Sequence, residues 1–194
     1  MTTAHAPNGR ANNTWWACEP RRLHRDYEEI TAQFPDLVWH EAGAGSWEGR
    51  LPRWPFERAE PEHLTAWIGE EGLLLRLEYS QAYPMVAPRL VPVDPLPEPF
   101  EWTQHCWHVN GDASLCLLRD DVWTGRESVL DLLLKAAGWR IEYALMKHQT
   151  IEQMTGSGIV TDHRLDHFLA HPPPPEDTTD HPEPDTGGQD DLAC

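Results

Sequence analysis

Basic residues are scarce: 15 Lys and Arg stand against 32 Asp and Glu, a formal net charge of -17 over 194 residues. A field of that sign repels phosphate backbones and anionic lipid, so neither nucleic acid nor a membrane is expected as a partner. Long apolar runs are missing too. No stretch approaches the roughly 18 residues a membrane span needs, and the opening MTTAHAPNGRANNT has no signal-peptide core, which predicts a cytoplasmic protein. Cysteine is sparse and irregularly spaced, at Cys18, Cys106, Cys116 and Cys194, so reduced thiols are expected rather than a disulfide framework. No internal repeat is visible.

The material for a core is present up to about residue 170: 40% of the residues are hydrophobic, and all 10 tryptophans precede residue 140. This length fits one domain plus tails. Residues 1–14 read as a disordered polar arm, 15–170 as the domain, and 171–194 as a disordered acidic tail opened by Pro172 to Pro175. Glu176, Asp177, Asp180, Glu183, Asp185, Asp190 and Asp191 lie in that tail, which leaves about -10 on the domain.

Pro20 suits a first helical position, and Leu23, Tyr27, Ile30 and Phe34 predict one apolar stripe ending before Pro35. LVWHEA, the AGAG turn and SWEGRLPRW read as a hairpin, whereas Pro55–Glu71 fits a short helix or an irregular strand equally well. Alternation from Leu73 to Tyr79 predicts a strand. A second is expected over Met85–Val93, where Pro88 and Pro92 demand an edge or a short strand. Thr124 and Glu127 have capping-box spacing before a long amphipathic helix to about Lys147, with Val129, Leu130, Leu133, Leu134, Ala137, Ile141 and Leu145 on its core face. A short helix around His163–Leu169 follows the TGSG break. The expected class is α+β: an antiparallel meander with helices against one face and at its ends.

Cys116 lies in GDASLCLL, between a Gly111-Asp112 turn and an apolar pair, with His108 and Asn110 upstream and Asp120, Asp121 and Trp123 downstream. A cysteine between leucines is by default a small buried hydrophobe. The polar residues on both sides favour a nucleophile instead. Cys18 and Cys106 have no such surroundings and read as structural. His105, Cys106, His108 and Cys116 offer imidazole and thiolate, the usual zinc ligands, but HCWH lacks the paired spacing of structural zinc sites, so neither metal nor cofactor is expected.

The ordered set Tyr83-Pro84, Pro88, His108, Asn110, Gly111, Leu115-Cys116-Leu117, Trp123 and the helix from Glu127 resembles the ubiquitin-conjugating enzymes over roughly residues 20–148. Val109 replaces the proline of the family's His-Pro-Asn, Asn110 lies closer to the cysteine than usual, and the usual C-terminal helical pair is missing, as in a divergent bacterial branch. Within it the chain is most similar to the conjugating-enzyme-like proteins of type II CBASS anti-phage systems. The resemblance implies the ubiquitin-conjugating-enzyme-like fold: N-terminal helix, four-stranded meander, active-site loop and crossover helix. It also implies a thioester-forming acyltransferase whose donor protein carries a C-terminal acyl group, either a cGAS-like nucleotidyltransferase or a ubiquitin-like protein. Whether a separate activating enzyme takes part stays open.

Such chemistry needs a reachable thiol at Cys116 and a donor for the tetrahedral oxyanion, a part open to either Asn110 or His108. Asp121, or Asp120, is a candidate to orient the incoming amine and take its proton, although paired aspartates are commonly a solvated surface pair. Three functions compete at this point. They are acyl transfer, an inert module that binds a ubiquitin-like protein, and a hydrolase using Cys116 with His108.

Overall fold

The structure, a computed structural model, describes residues 14–118, 122–156 and 158–174. Nearly all of the expected arm and tail, Cys194, Asp120 and Asp121 lie outside the described residues. The chain runs α1 (Trp15–Cys18), α2 (Pro20–Gln33), β1 (Val38–His40), β2 (Ser46–Arg50), α3 (Leu64–Ile68), β3 (Leu74–Glu78), β4 (Arg89–Asp94), a 3-10 turn (Pro99–Glu101), α4 (Val129–Lys147) and α5 (Asp166–Leu169). The four strands form one antiparallel sheet in sequential order, so the class is α+β with a meander.

Alternation organises the sheet as expected. Trp47 stands opposite both Trp39 and Leu77, and Trp47, Leu75 and Leu77 are buried. The AGAG turn needs its glycines: a Cβ on Gly45, at φ +83°, would fall 2.2 Å from the Trp39 ring. The fourth strand starts four residues later than the expected Met85. Met85 and Val86 are exposed because both backbone N–H groups turn back onto the Ala82 carbonyl. Pro92 stands opposite Leu75 on an edge strand, the position where a missing ladder donor costs least.

Helix α2 begins at Pro20, and of the expected stripe Ile30 and Phe34 are fully buried and Leu23 packs half-buried against the core, while Tyr27 departs from it. Arg22, Asp26 and Ile30 are buried at four-residue spacing, whereas Tyr27 is 47% exposed, its ring 5.2 Å from that of Trp47. A charged pair displaced an aromatic from the core because its partners are supplied from elsewhere. Arg22 Nε lies 2.9 Å from Asp26 Oδ1, Tyr79 Oη donates to Asp26 at 3.3 Å, and Tyr83 Oη donates to the same carboxylate. Arg22 also donates to the carbonyls of Gly125 and Glu127, so α2 grips both the Tyr83-Pro84 turn and the approach to α4.

That approach also sets where α4 begins. Thr124 and Glu127 do pair, but as a local turn in which the Thr124 backbone and hydroxyl both donate to the carboxylate. Their spacing imitates a helix start. The helix itself begins at Val129, with Ser128 Oγ accepting from the Leu130 N–H at 3.1 Å.

The expected core face of α4 is buried or packed on the core, but the second half of the helix is buried on its other sides as well. From Ala136 to Met146 every residue but Arg140 is buried, because the helix lies between two apolar clusters. Leu132, Leu133, Ala136, Trp139 and Tyr143 share one with α2 and the sheet. Ile141, Ala144 and Leu145 share the other with Leu64, Trp67 and Ile68 of α3 and with Ile159, Leu165 and Leu169. Gly138 permits the close approach of this last segment: a Cβ there would sit 2.9 Å from the Ile159 side chain. The ambiguous Pro55–Glu71 stretch holds α3, whose Leu64, Trp67 and Ile68 recur at helical spacing toward that second cluster.

Candidate active site

Residues 108–116 form a tight hairpin. The Cys116 N–H donates to the His108 carbonyl at 2.7 Å, and the Asn110 N–H to the Ser114 carbonyl at 2.7 Å. Val109 and Leu115 form the bridge between its arms and are buried. His108 and Cys116, which flank this bridge, both line the cavity. Two turn residues, His108 at φ 50° and Ala113 at φ 63°, take left-handed conformations.

The hairpin is fastened to β4. The Leu115 N–H donates to the Leu90 carbonyl at 2.8 Å, and Arg89 pairs with Asp112 at 2.7 Å. Asp112 Oδ1 accepts from both the hydroxyl and the backbone N–H of Ser114 at 2.6 and 3.0 Å. The Ser114 hydroxyl, its backbone N–H and Arg89 hold the Asp112 carboxyl below its usual range.

The hairpin places half-buried Cys116 and His108 on one cavity of about 710 Å³, walled by Leu117, Leu118, Val122, Trp139 and Met154. His108 Nε2 lies 3.2 Å from the Thr155 carbonyl. A carbonyl only accepts, so Nε2 carries the hydrogen and Nδ1 is the proton acceptor of the neutral ring. Asn110 is not on the cavity. Its side-chain amide donates to Ser114 Oγ at 3.0 Å and the Leu115 carbonyl at 3.4 Å, while its oxygen accepts from Gln104 at 2.8 Å. In this arrangement Asn110 shapes the loop.

Asp121 lies outside the described residues. Trp123 is a packing residue, its indole donating to the Pro84 carbonyl at 2.8 Å. Cys106 faces away from the thiol chemistry, toward the Glu152 carbonyl at 3.5 Å. Among the described residues no group of three or more His, Cys, Asp or Glu side chains is arranged to hold a metal ion.

Two charged residues of the site escaped the sequence reading. Lys135 Nζ donates to the Leu117 carbonyl at 3.3 Å, one residue from the thiol. Glu142 is buried at the cavity wall, where its carboxylate accepts from the Thr155 backbone at 2.6 Å and hydroxyl at 2.8 Å. Burial pushes the Glu142 carboxyl up, and the Thr155 bonds and nearby His108 only partly offset it. The signal was present: Lys135, Trp139 and Glu142 recur at i, i+4 and i+7, a second helical stripe hidden beneath the apolar one. Thr155 couples it to the loop, binding Glu142 and His108 together.

The cavity therefore gathers a thiol, an imidazole with one basic nitrogen, an ammonium and a buried carboxyl within apolar walls, a set suited to acyl chemistry on sulfur. Neither a protein-family model nor a curated protein matches the chain.

Proposed function

We propose that the protein is a bacterial, cytoplasmic ubiquitin-conjugating-enzyme-like acyltransferase that carries its substrate as a thioester on Cys116. One observation carries the reading: a nucleophile-capable cysteine and a histidine meet on one cavity, presented by a hairpin between a four-stranded meander and a long helix. That succession of elements is the one the sequence resemblance implies. In the first step the Cys116 thiolate attacks the donor's activated carbonyl; a C–S bond forms and the donor's leaving group departs. In the second an amine attacks the same carbonyl, a C–N bond replaces the C–S bond, and the amine's proton passes to a base such as His108 Nδ1. Asp121 retains its proposed part in orienting the amine.

The donor is a protein with a C-terminal acyl group, in first place a cGAS-like nucleotidyltransferase of a type II CBASS anti-phage system. A ubiquitin-like protein from another bacterial conjugation operon is the alternative, and a separate activating enzyme supplies the acyl group where the donor arrives unactivated. An inert binding module would have no use for the Cys116 and His108 arrangement. The imidazole beside the thiol keeps a second reading in view, a cysteine hydrolase releasing free acid.

Non-reducing gels of the protein with its donor separate these readings. Wild type gives a reducible adduct, Cys116→Ser a reduction-resistant ester and Cys116→Lys an amide. Free acid without a lasting adduct favours the hydrolase, and full biological function in a Cys116→Ala strain favours the binding module.

A further inference from the structure

Acyl transfer requires an oxyanion donor, and the two expected candidates, Asn110 and His108, are already engaged, as is the Cys116 backbone N–H. Both sites of hydrogen donation from the Asn110 amide lie within the hairpin, on Ser114 and Leu115. The Cys116 backbone N–H is committed to the His108 carbonyl. The His108 Nε2 hydrogen is committed to the Thr155 carbonyl at 3.2 Å. Rotating any of these toward a substrate breaks a bond that shapes the loop.

Lys135 is the one Lys or Arg among the described residues of the cavity wall. Its ammonium has three hydrogens, and its bond to the Leu117 carbonyl at 3.3 Å uses one. That carbonyl belongs to the residue after Cys116, so the bond anchors a positive charge beside the chain segment that carries the thiol. Helix α4 makes the placement rigid, because the lysine projects from an element packed between two apolar clusters. Preorganised positive charge in a site with apolar walls is the feature that stabilises a developing alkoxide.

We infer that Lys135 is a catalytic residue whose ammonium stabilises the oxyanion of the tetrahedral intermediate in both half-reactions at Cys116. This rests on the acyl-transfer reading and deepens it. When the Cys116 sulfur attacks the acyl carbon, the carbonyl π pair moves to oxygen and is met by the remaining Nζ hydrogens. Collapse returns the pair to the C=O bond and expels the thiolate of the incoming thioester, which is the activating enzyme's in the cell. When an amine attacks in turn, the same oxygen is charged again, Cys116 leaves as thiolate and the amine's proton goes to His108 Nδ1. Lys135 gives up no proton and forms no covalent bond. Asn110 is then a positioning residue.

The test uses the full chain and a glycine-terminated peptide thioester, with Cys116 acylation followed by intact mass. Alkylation of Cys116 by iodoacetamide is measured in parallel; it needs the same thiolate but forms no oxyanion. Lys135→Met is expected to slow acylation about 100-fold or more, and alkylation by less than about threefold, with Lys135→Arg recovering part of the loss. Acylation by Lys135→Met within about threefold of wild type overturns the assignment. So does an equal fall in acylation and alkylation, which places the effect on the thiolate, or a variant that alkylates at the wild-type rate only after unfolding. Absence of any acyl adduct on wild-type Cys116 instead overturns the acyl-transfer reading itself.

Discussion

At the scale of single residues, the thiol was legible and its surroundings were only half so. Cys116 stood out because a turn dipeptide and polar residues flank it, and such signals are local. Lys135 and Glu142 reach the site across 19 and 26 residues of chain on a helix whose stronger apolar stripe masked theirs. Asp26 was missed for a related reason. A carboxylate reads as surface unless its partners are known, and here they arrive from Tyr79 and Tyr83, far along the sequence. Asp26→Ala removes the carboxylate partner of buried Arg22 and the acceptor of the Tyr79 and Tyr83 hydroxyls, and is expected to cost about 3–5 kcal/mol in chemical denaturation. A loss under about 1 kcal/mol would show that the pair is not held as described.

Glu142 sets a pH dependence whose sign follows from its raised pKa. The folded protein holds this proton more tightly than the unfolded chain, so the contribution of Glu142 to stability is greatest at acid pH. It falls as pH rises from the unfolded carboxylate range through the higher folded value. Glu142→Gln keeps an acceptor for the Thr155 N–H and removes the charge. Its melting temperature is therefore expected to gain on wild type as pH rises through that window; a constant difference between the two proteins would contradict the assignment.

At the scale of elements, period-two alternation made the sheet readable, and prolines correctly marked the edge strand. Boundaries failed where side chains imitate a cap. Thr124 and Glu127 have the right spacing, but Arg22 takes the carbonyls of Gly125 and Glu127, and the helix waits for Ser128. The two-sided burial of α4 was unreadable for another reason: it depends on where the chain returns after residue 150, and periodicity within one helix does not encode that. Gly138 is the trace of this return. Gly138→Leu would drive a side chain into buried Ile159 and is expected to destabilise by about 1–3 kcal/mol, despite leucine's better helix propensity. An unchanged or raised melting temperature would mean that the segment yields freely.

At the scale of the whole molecule, α4 joins two cores, one built with the sheet and one with the C-terminal segment. No helix among the described residues is long and apolar enough to cross a membrane. The site sits where the cores meet the hairpin, so the segment that covers α4 also forms part of the cavity wall through Thr155, Gly156 and Gly158. Removing residues 158–174 uncovers partners of Ile159, Leu165 and Leu169, each buried side chain being worth about 1.5–3 kcal/mol. Against a typical margin of about 5–15 kcal/mol, cooperative unfolding should weaken sharply or vanish. Retention of the wild-type transition would contradict a shared helix.

The central claim is that Cys116 carries an acyl group. Mass spectrometry of the protein isolated from its native cells under non-reducing conditions tests it most directly. The predicted result is an acyl adduct on Cys116 that hydroxylamine removes, replaced in Cys116→Ser by an ester that thiol reductants leave intact. A Cys116 found unacylated in cells where the donor protein is present and activated would contradict the account.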